Sequence, residues 1–186
     1  GKLVEEGNGY QVDRSQRIRL GSADPDFTMG WRHDINYKNI SLGLMITGRF
    51  GGIVTSQTQA FMDAFGVSKV SAEARDNGGV MLDGHRYDAE RYYNTVGGQG
   101  LMSYYTYDAT NVRQQELSLT YSLPKKWLGD VFNNATISFV GRNLFMFYRK
   151  APFDPDMNGS TGTYNRSDFF MAPSLRNLGF SIKFSL

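Results

Sequence analysis

The last eleven residues of the chain alternate without a break. Arg176, Leu178, Phe180, Ile182, Phe184 and Leu186 share one parity, and Asn177, Gly179, Ser181, Lys183 and Ser185 share the other. Successive side chains of a strand point to opposite faces, so the pattern predicts a strand over 174–186 with one apolar and one polar face. Its length matches the roughly 9–11 residues of a tilted strand that crosses a bilayer.

Four earlier segments carry the same period. In 27–37, Phe27, Met29, Trp31, Ile35 and Tyr37 oppose Thr28, Gly30, Arg32, Asp34 and Asn36, and His33 interrupts the apolar side. In 40–50, Ile40, Leu42, Leu44 and Ile46 oppose Ser41, Gly43, Thr47 and Arg49. Lys38-Asn39 lies between them and predicts a hairpin with a tight turn. In 112–123, Leu117, Leu119, Tyr121 and Leu123 oppose Glu116, Ser118, Thr120 and Ser122, and Pro124 ends the run. Residues 125–133 read as a short connection containing one helical turn. In 134–147, Ala135, Ile137, Phe139, Phe145 and Phe147 oppose Thr136, Ser138 and Arg142.

The connections alternate in length. Those at 38–39 and 124–133 are short, whereas those at 51–111 and 147–173 are long. If consecutive strands are antiparallel neighbours, both short turns fall at one end of the sheet and both long loops at the other. Outer-membrane barrels have this asymmetry, with short periplasmic turns and long extracellular loops. The chain end is then expected on the periplasmic side. Within the first long loop, Ile53, Val54, Phe61, Met62 and Phe65 stand near helical spacing. They predict a helix over 53–65 that Gly66 closes. A Gly78-Gly79 turn follows.

Composition agrees with a membrane sheet. No run approaches the roughly 18 apolar residues of a membrane-spanning helix, and mean hydropathy is −0.42. Alternating barrel strands have low average hydropathy, so a β-barrel remains open. Aromatics reach 14%, with 11 Tyr and 13 Phe, which the aromatic girdles of a barrel would explain. The net charge of +2 offers no strong field for nucleic acid. The chain has no cysteine, which removes a disulfide framework and any thiolate chemistry.

Candidate chemistry is sparse. Asp154-Pro155-Asp156-Met157-Asn158-Gly159 matches the first half of a calcium loop, with Asp154, Asp156 and Asn158 as oxygen ligands. The twelfth position would be Asn165 rather than a bidentate Glu, and the flanks are not helical. The other reading is an Asp/Asn/Gly-rich turn. His33 and His85 are the only histidines and lie far apart in sequence, so they read as structural. No G-x-S-x-G nucleophile elbow occurs, and Gly97-Gly98-Gln99-Gly100 lacks the Lys-Ser/Thr of a phosphate loop. Tyr92, Tyr93, Tyr104, Tyr105 and Tyr107 cluster in the first long loop. Flat amphipathic rings there suit stacking on sugars or on a peptide; the other reading is packing of the loop itself. By alternation Arg142 and Lys183 belong on the polar face, where Glu116 is a ready partner. On a lipid face each would cost ~2–4 kcal/mol.

Four sequence patterns bear a family resemblance. Gly21-Ser22-Ala23-Asp24-Pro25-Asp26-Phe27 with Gly30, Tyr37-Lys38-Asn39-Ile40 with Gly48-Arg49-Phe50-Gly51-Gly52, Val112 to Pro124, and Gly141-Arg142-Asn143-Leu144-Phe145 with Asp154-Pro155-Asp156 follow one another in order. In these the chain resembles the C-terminal part of SusC/RagA-like TonB-linked outer-membrane transporters of Bacteroidota. It departs from the family pattern in having Gln115 for a basic residue, Asp156 for Glu, and a final Leu for Phe.

The resemblance implies an all-β fold: an antiparallel transmembrane β-barrel segment of about five strands, with long extracellular loops, from a barrel of about 22 strands. It implies residence in the outer membrane and contact with lipid. It also implies that the rest of the barrel and the plug lie outside residues 1–186, since five strands cannot close a cylinder that needs about eight. The implied partners are that remaining polypeptide, a SusD-like surface lipoprotein as lid, TonB acting through the plug, and an oligosaccharide or peptide cargo. No covalent chemistry and no resident cofactor is implied. A soluble β-sandwich glycan-binding module is the alternative from the residues alone. An outer-membrane hydrolase would need a Ser/His pairing that the spacing does not offer.

Overall fold

A computed structural model describes residues 3–13, 15, 17–128, 132–156 and 167–185. In chain order the elements are β1 (Glu5–Glu6), β2 (Gly9–Tyr10), β3 (Phe27–Tyr37), β4 (Ile40–Phe50), β5 (Ile53–Ser56), α1 (Gln57–Ala64), α2 (Lys69–Asp76), β6 (Val80–Leu82) and β7 (His85–Tyr87). They continue with α3 (Ala89–Tyr93) running into a π-helical turn (Asn94–Gly98), β8 (Thr106–Asp108), β9 (Asn111–Ser122), a 3-10 turn (Lys125–Trp127), β10 (Asn134–Arg142), β11 (Met146–Arg149), β12 (Ser167–Asp168) and β13 (Asn177–Ser185). These fall into two compact units, each interleaved in sequence with the other.

One unit comprises Asp24–Gly52, Ala109–Asp156 and Pro173–Leu186. It is an antiparallel meander in the order β13-β10-β9-β4-β3, with β11 also on β9. Directly opposed residues of an antiparallel pair share a face, so the register writes out each side of the sheet. Ile35, Leu42, Leu119, Phe139 and Phe180 form one row, and Tyr37, Ile40, Tyr121, Ile137 and Ile182 the next. On the other face Asn36, Ser41, Thr120, Ser138 and Ser181 form a hydroxyl and amide row. Thr120 and Ser138 are hydrogen-bonded there at 2.9 Å.

The apolar face is bare. Leu119 in the central strand is 47% exposed and Phe180 67%. Such side chains each forgo about 1.5–3 kcal/mol when left in water, and a contiguous apolar surface of this kind marks a membrane or protein contact. His33 pairs with Leu44 and stacks on Trp31 with ring centroids 5.5 Å apart, so it sits on this face. Arg142 lies on the polar face and its Nε donates to Glu116 Oε2 at 2.9 Å. Lys183, opposite Thr136, is on that face too.

Both short connections lie at one end of this sheet. At the turn Lys38-Asn39, the Asn39 side chain donates to Ser122 O at 2.9 Å. At the opposite end the chain departs after Gly52 and again after Asp156. Gly51 and Gly52 have φ of +75° and +78°, a left-handed backbone that glycine adopts at no steric cost. A side chain at Gly51 would also strike the Asp26 carboxylate.

Two strand expectations are corrected. The pattern over 134–147 breaks at Asn143, whose φ is +54°, and resumes as β11. Across from the break, Gln115 bulges out of β9: Met45 opposes Glu116, but Ile46 opposes Gln114. The extra residue moves Val112 and Gln114 to the parity of the apolar row and leaves Asn111 and Arg113 on the polar one.

The other unit comprises Gly1–Ala23, Ile53–Asp108 and Met157–Ala172. The helix expected over 53–65 begins late. Ile53, Val54 and Thr55 are β-branched at the first three positions and pair with β8, while β12 adds in parallel. Ser56 then caps α1, its Oγ accepting from Gln59 N at 3.0 Å. Gly66, φ +69°, follows the helix end. Ser68 caps α2 in the same way. β6 and β7 form a hairpin on Asp83-Gly84, with φ of +48° and +78°. The core gathers Ala60, Val96 and Tyr105 from three segments, flanked by Tyr92, Leu101 and Met102.

Candidate functional site

Two places concentrate polar and aromatic chemistry, one in each unit. The first is a cavity of about 450 Å³. Its lining includes Tyr10 from β2, Thr95 and Val96 from the π-helical turn, and Tyr92, Leu101 and Tyr104. Tyr10 N donates to Thr95 Oγ1 at 2.8 Å, and Thr95 Oγ1 donates to Arg91 O at 2.8 Å. The hydroxyl of Thr95 thus accepts from one backbone group and donates to another.

The five tyrosines separate by role. Tyr105 is wholly buried, and its hydroxyl donates to Asp63 Oδ2 at 3.0 Å. Gln59 Nε2 completes the shell of that carboxylate at 2.8 Å. Tyr93 is buried against Tyr92, their rings perpendicular at 5.3 Å. Tyr107 is half-buried in β8, opposite Val54. Tyr92 and Tyr104 line the cavity. Burial pushes the Tyr92 and Tyr93 hydroxyls up to about 12, with Tyr104 adding to both. Burial raises Tyr105 and Tyr107 as well, each helped by the charge on Asp63. All four are neutral phenols at ordinary pH.

The second place is centred on Arg113. Its Nη2 lies 2.6 Å from Asp154 Oδ1 and 2.9 Å from Asp156 Oδ2. Nε donates to Asn111 Oδ1 at 3.3 Å, and Nη1 faces Asn143 Oδ1 at 3.4 Å and Ser174 Oγ at 3.3 Å. Asn143 in turn donates to Ser174 O, and Ser174 N donates to Asp154 Oδ2, both at 3.1 Å. Arg49 Nη1 approaches Asp156 Oδ1 at 3.6 Å. Burial alone would raise the Asp154 carboxyl, but hydrogen bonds from Arg113, Ser174 and the Asp156 amide hold it below the usual range. Burial and the neighbouring Asp154 keep Asp156 above that range despite Arg113.

Among the described residues, the two aspartates of the calcium-like half motif, Asp154 and Asp156, both face the Arg113 guanidinium. Asn158 lies outside the described residues. Arg113, Asn111, Arg49 and Ser174 were not singled out as site residues from the sequence, although Arg49 and Arg113 lie in segments that carry the resemblance. Their signal was faint: an arginine in a strand whose parity shifts at the bulge, and two carboxylates whose cation lies 41 positions from Asp154 in sequence. Segments that carried the family resemblance meet here, Val112-Arg113 with Asn143 and with Asp154-Pro155-Asp156.

No protein-family model matches the chain. A protein from Formosa agariphila named TonB-dependent receptor P3 is 28% identical over 188 residues, covering 96% of this chain and 18% of that protein. The solved structure of the RagAB peptide importer in its open-open state matches with a TM-score of 0.70 at 20% identity, over 95% of this chain and 19% of the solved one. The closed-closed state matches at 0.68 and 19% identity, over 94% and 19% respectively. The chain thus spans about one-fifth of the length of these relatives. The likeness to the solved structures is one of fold.

Proposed function

We propose that this chain, a SusC/RagA-like segment in sequence and fold, forms part of the barrel wall of a TonB-dependent importer in a bacterial outer membrane. The observation that carries the reading is the meander's bare apolar face, backed by a polar one across five consecutive antiparallel strands. A lone sheet would leave β3 and β13 with unpaired edges, which barrels remove by closure. Further strands of a barrel of about 22 continue both edges in this reading. The apolar rows meet lipid and the hydroxyl rows meet the lumen.

The short turns then face the periplasm, as does the end of β13, and the long excursions face outwards. A plug, a SusD-like lipoprotein lid and TonB complete the importer. Its cargo is an oligosaccharide or a peptide, and Tyr92 and Tyr104 touch it. No covalent chemistry is assigned to this segment. The Arg113 network serves as a clamp that holds the outward ends of β9, β10 and β13 together. The soluble β-sandwich module is disfavoured, because its apolar face would be covered by a second sheet.

Fractionation of the native cell envelope tests the reading. The protein is expected to leave the envelope only with detergent. Release by salt or alkali as a compact, detergent-free monomer would sink it.

A further inference from the structure

The turn end of the meander differs from its outward end in charge. The two short connections carry Lys38, Lys125 and Lys126 against one acid, Asp130, which lies outside the described residues. The outward connections mix signs, with Asp24 and Asp26 before β3 and Arg149, Lys150, Asp154 and Asp156 after β10. Two of the lysines are tied to aromatic residues of the apolar side. Lys38 Nζ stands 5.2 Å from the centroid of the Tyr37 ring, and Tyr37 belongs to an apolar row. Lys125 Nζ donates to Phe132 O at 2.8 Å. The Phe132 ring packs on Phe184 with centroids 5.2 Å apart, and Phe184 shares the parity of Phe180 and Ile182. Lys126 and Trp127 follow Lys125, both exposed. Tyr37, Trp127 and Phe184 are each more than half exposed.

We infer that this end of the meander binds an anionic phospholipid surface. Lys38, Lys125 and Lys126 meet headgroup phosphates, and Tyr37, Trp127 and Phe184 lie at the base of the headgroup layer. Aromatic rings suit the boundary between hydrocarbon and water, and lysine stems reach past them to hold their ammonium groups in the polar layer. A zwitterionic surface would match the rings but not the excess of cations. Water would accept the cations but leave the rings bare. Near an anionic surface each lysine contributes about fivefold in affinity. The outward end, with its mixed signs, has no such excess. The inference rests on the importer reading, since a sheet outside a membrane would present this end to water. In that reading the surface is the periplasmic leaflet.

Photo-crosslinking in the full-length receptor tests it. Trp127→p-benzoylphenylalanine exchanges one exposed aromatic side chain for another, and Phe27→p-benzoylphenylalanine places the same probe at the outward end of β3. Each receptor is reconstituted in vesicles of equal parts phosphatidylcholine and phosphatidylglycerol with matched acyl chains. After illumination, mass spectrometry of the modified peptide gives the ratio of the two lipids attached. The adduct at position 127 is expected to be severalfold richer in phosphatidylglycerol than the vesicles. It is expected to return to the vesicle ratio when Lys38→Gln, Lys125→Gln and Lys126→Gln are combined. The adduct at position 27 is expected to stay near the vesicle ratio throughout. No enrichment at position 127 overturns the inference. So does enrichment that survives loss of the three lysines, equal enrichment at position 27, or attachment to protein in place of lipid. If the triple variant does not fold, high salt decides with the lysines intact: screening is expected to abolish the enrichment, and persistence overturns the inference. Release of the receptor from the envelope without detergent would sink the importer reading, whereas a receptor that needs detergent but shows no enrichment sinks this inference alone.

Discussion

Arg113 has five donors in one rigid plane, and the structure directs them to Asn111, Asn143, Ser174, Asp154 and Asp156. Its side chain is 6% exposed and that of Asp154 9%. Removing one partner of such a pair strands the other as a buried charge. Arg113→Met is therefore expected to cost about 3–5 kcal/mol, read as a lowered denaturant or thermal midpoint in micelles. Arg113→Lys keeps the charge but not the planar fork, so its midpoint is expected between those of wild type and Arg113→Met. Asp154→Asn on the Arg113→Met background is expected to regain part of the loss. An unaltered midpoint for Arg113→Met would show that the network is not a clamp. The two aspartates were visible in the sequence as a possible cation site. Their arginine partner was not, because the bulge at Gln115 and the left-handed Asn143 bring it to them.

The π-helical turn packs on α1 so closely that a Cβ on Gly97 would overlap the Ala60 carbonyl and crowd the Ala64 amide. Both are backbone atoms and cannot swing aside. Gly97→Ala is expected to destabilise the unit that holds the cavity by about 1–3 kcal/mol. At Gly98 the tight contact of a Cβ would be with the Asn94 side-chain oxygen, at 2.8 Å, which can rotate away. Gly98→Ala is therefore expected to be much milder. Limited proteolysis within 53–108 compares the two, and equal resistance would refute the packing argument. Legibility differed between elements for a similar reason. Long alternating runs read directly as strands. Ile53 to Ser56 misled, because a short β-branched run joined to a helix produces apolar spacings that fit both. The hairpin on Asp83-Gly84 had a sequence signal in that dipeptide, but its strands are only three residues each.

The sheet's two faces set opposite tolerances at neighbouring positions of one strand. Phe180 lies in the apolar row and Ser181 in the hydroxyl row. In a bilayer, Phe180→Arg is expected to cost ~2–4 kcal/mol near the midplane, and Ser181→Arg far less. Folding into lipid vesicles, followed by the mobility of the unheated protein on a gel, reports both. Equal effects would mean that lipid does not cover the apolar face. Alternation is a property of nearest neighbours along the chain, so the sequence by itself determined the strand faces, the tight turn and the parity of long and short connections. It also placed Arg142 and Lys183 on the polar parity, with Ser138 and Ser181. Convergence of distant segments was left to the tertiary structure. Only the register revealed the bulge that reverses parity in β9, the clamp joining Arg113 to residues some 30 to 60 positions away, and the burial that separates Tyr92 and Tyr104 from Tyr93 and Tyr105. The reason is physical. A period is written in local backbone geometry, whereas burial and ion pairing depend on which remote side chains the folded chain brings within a few ångströms.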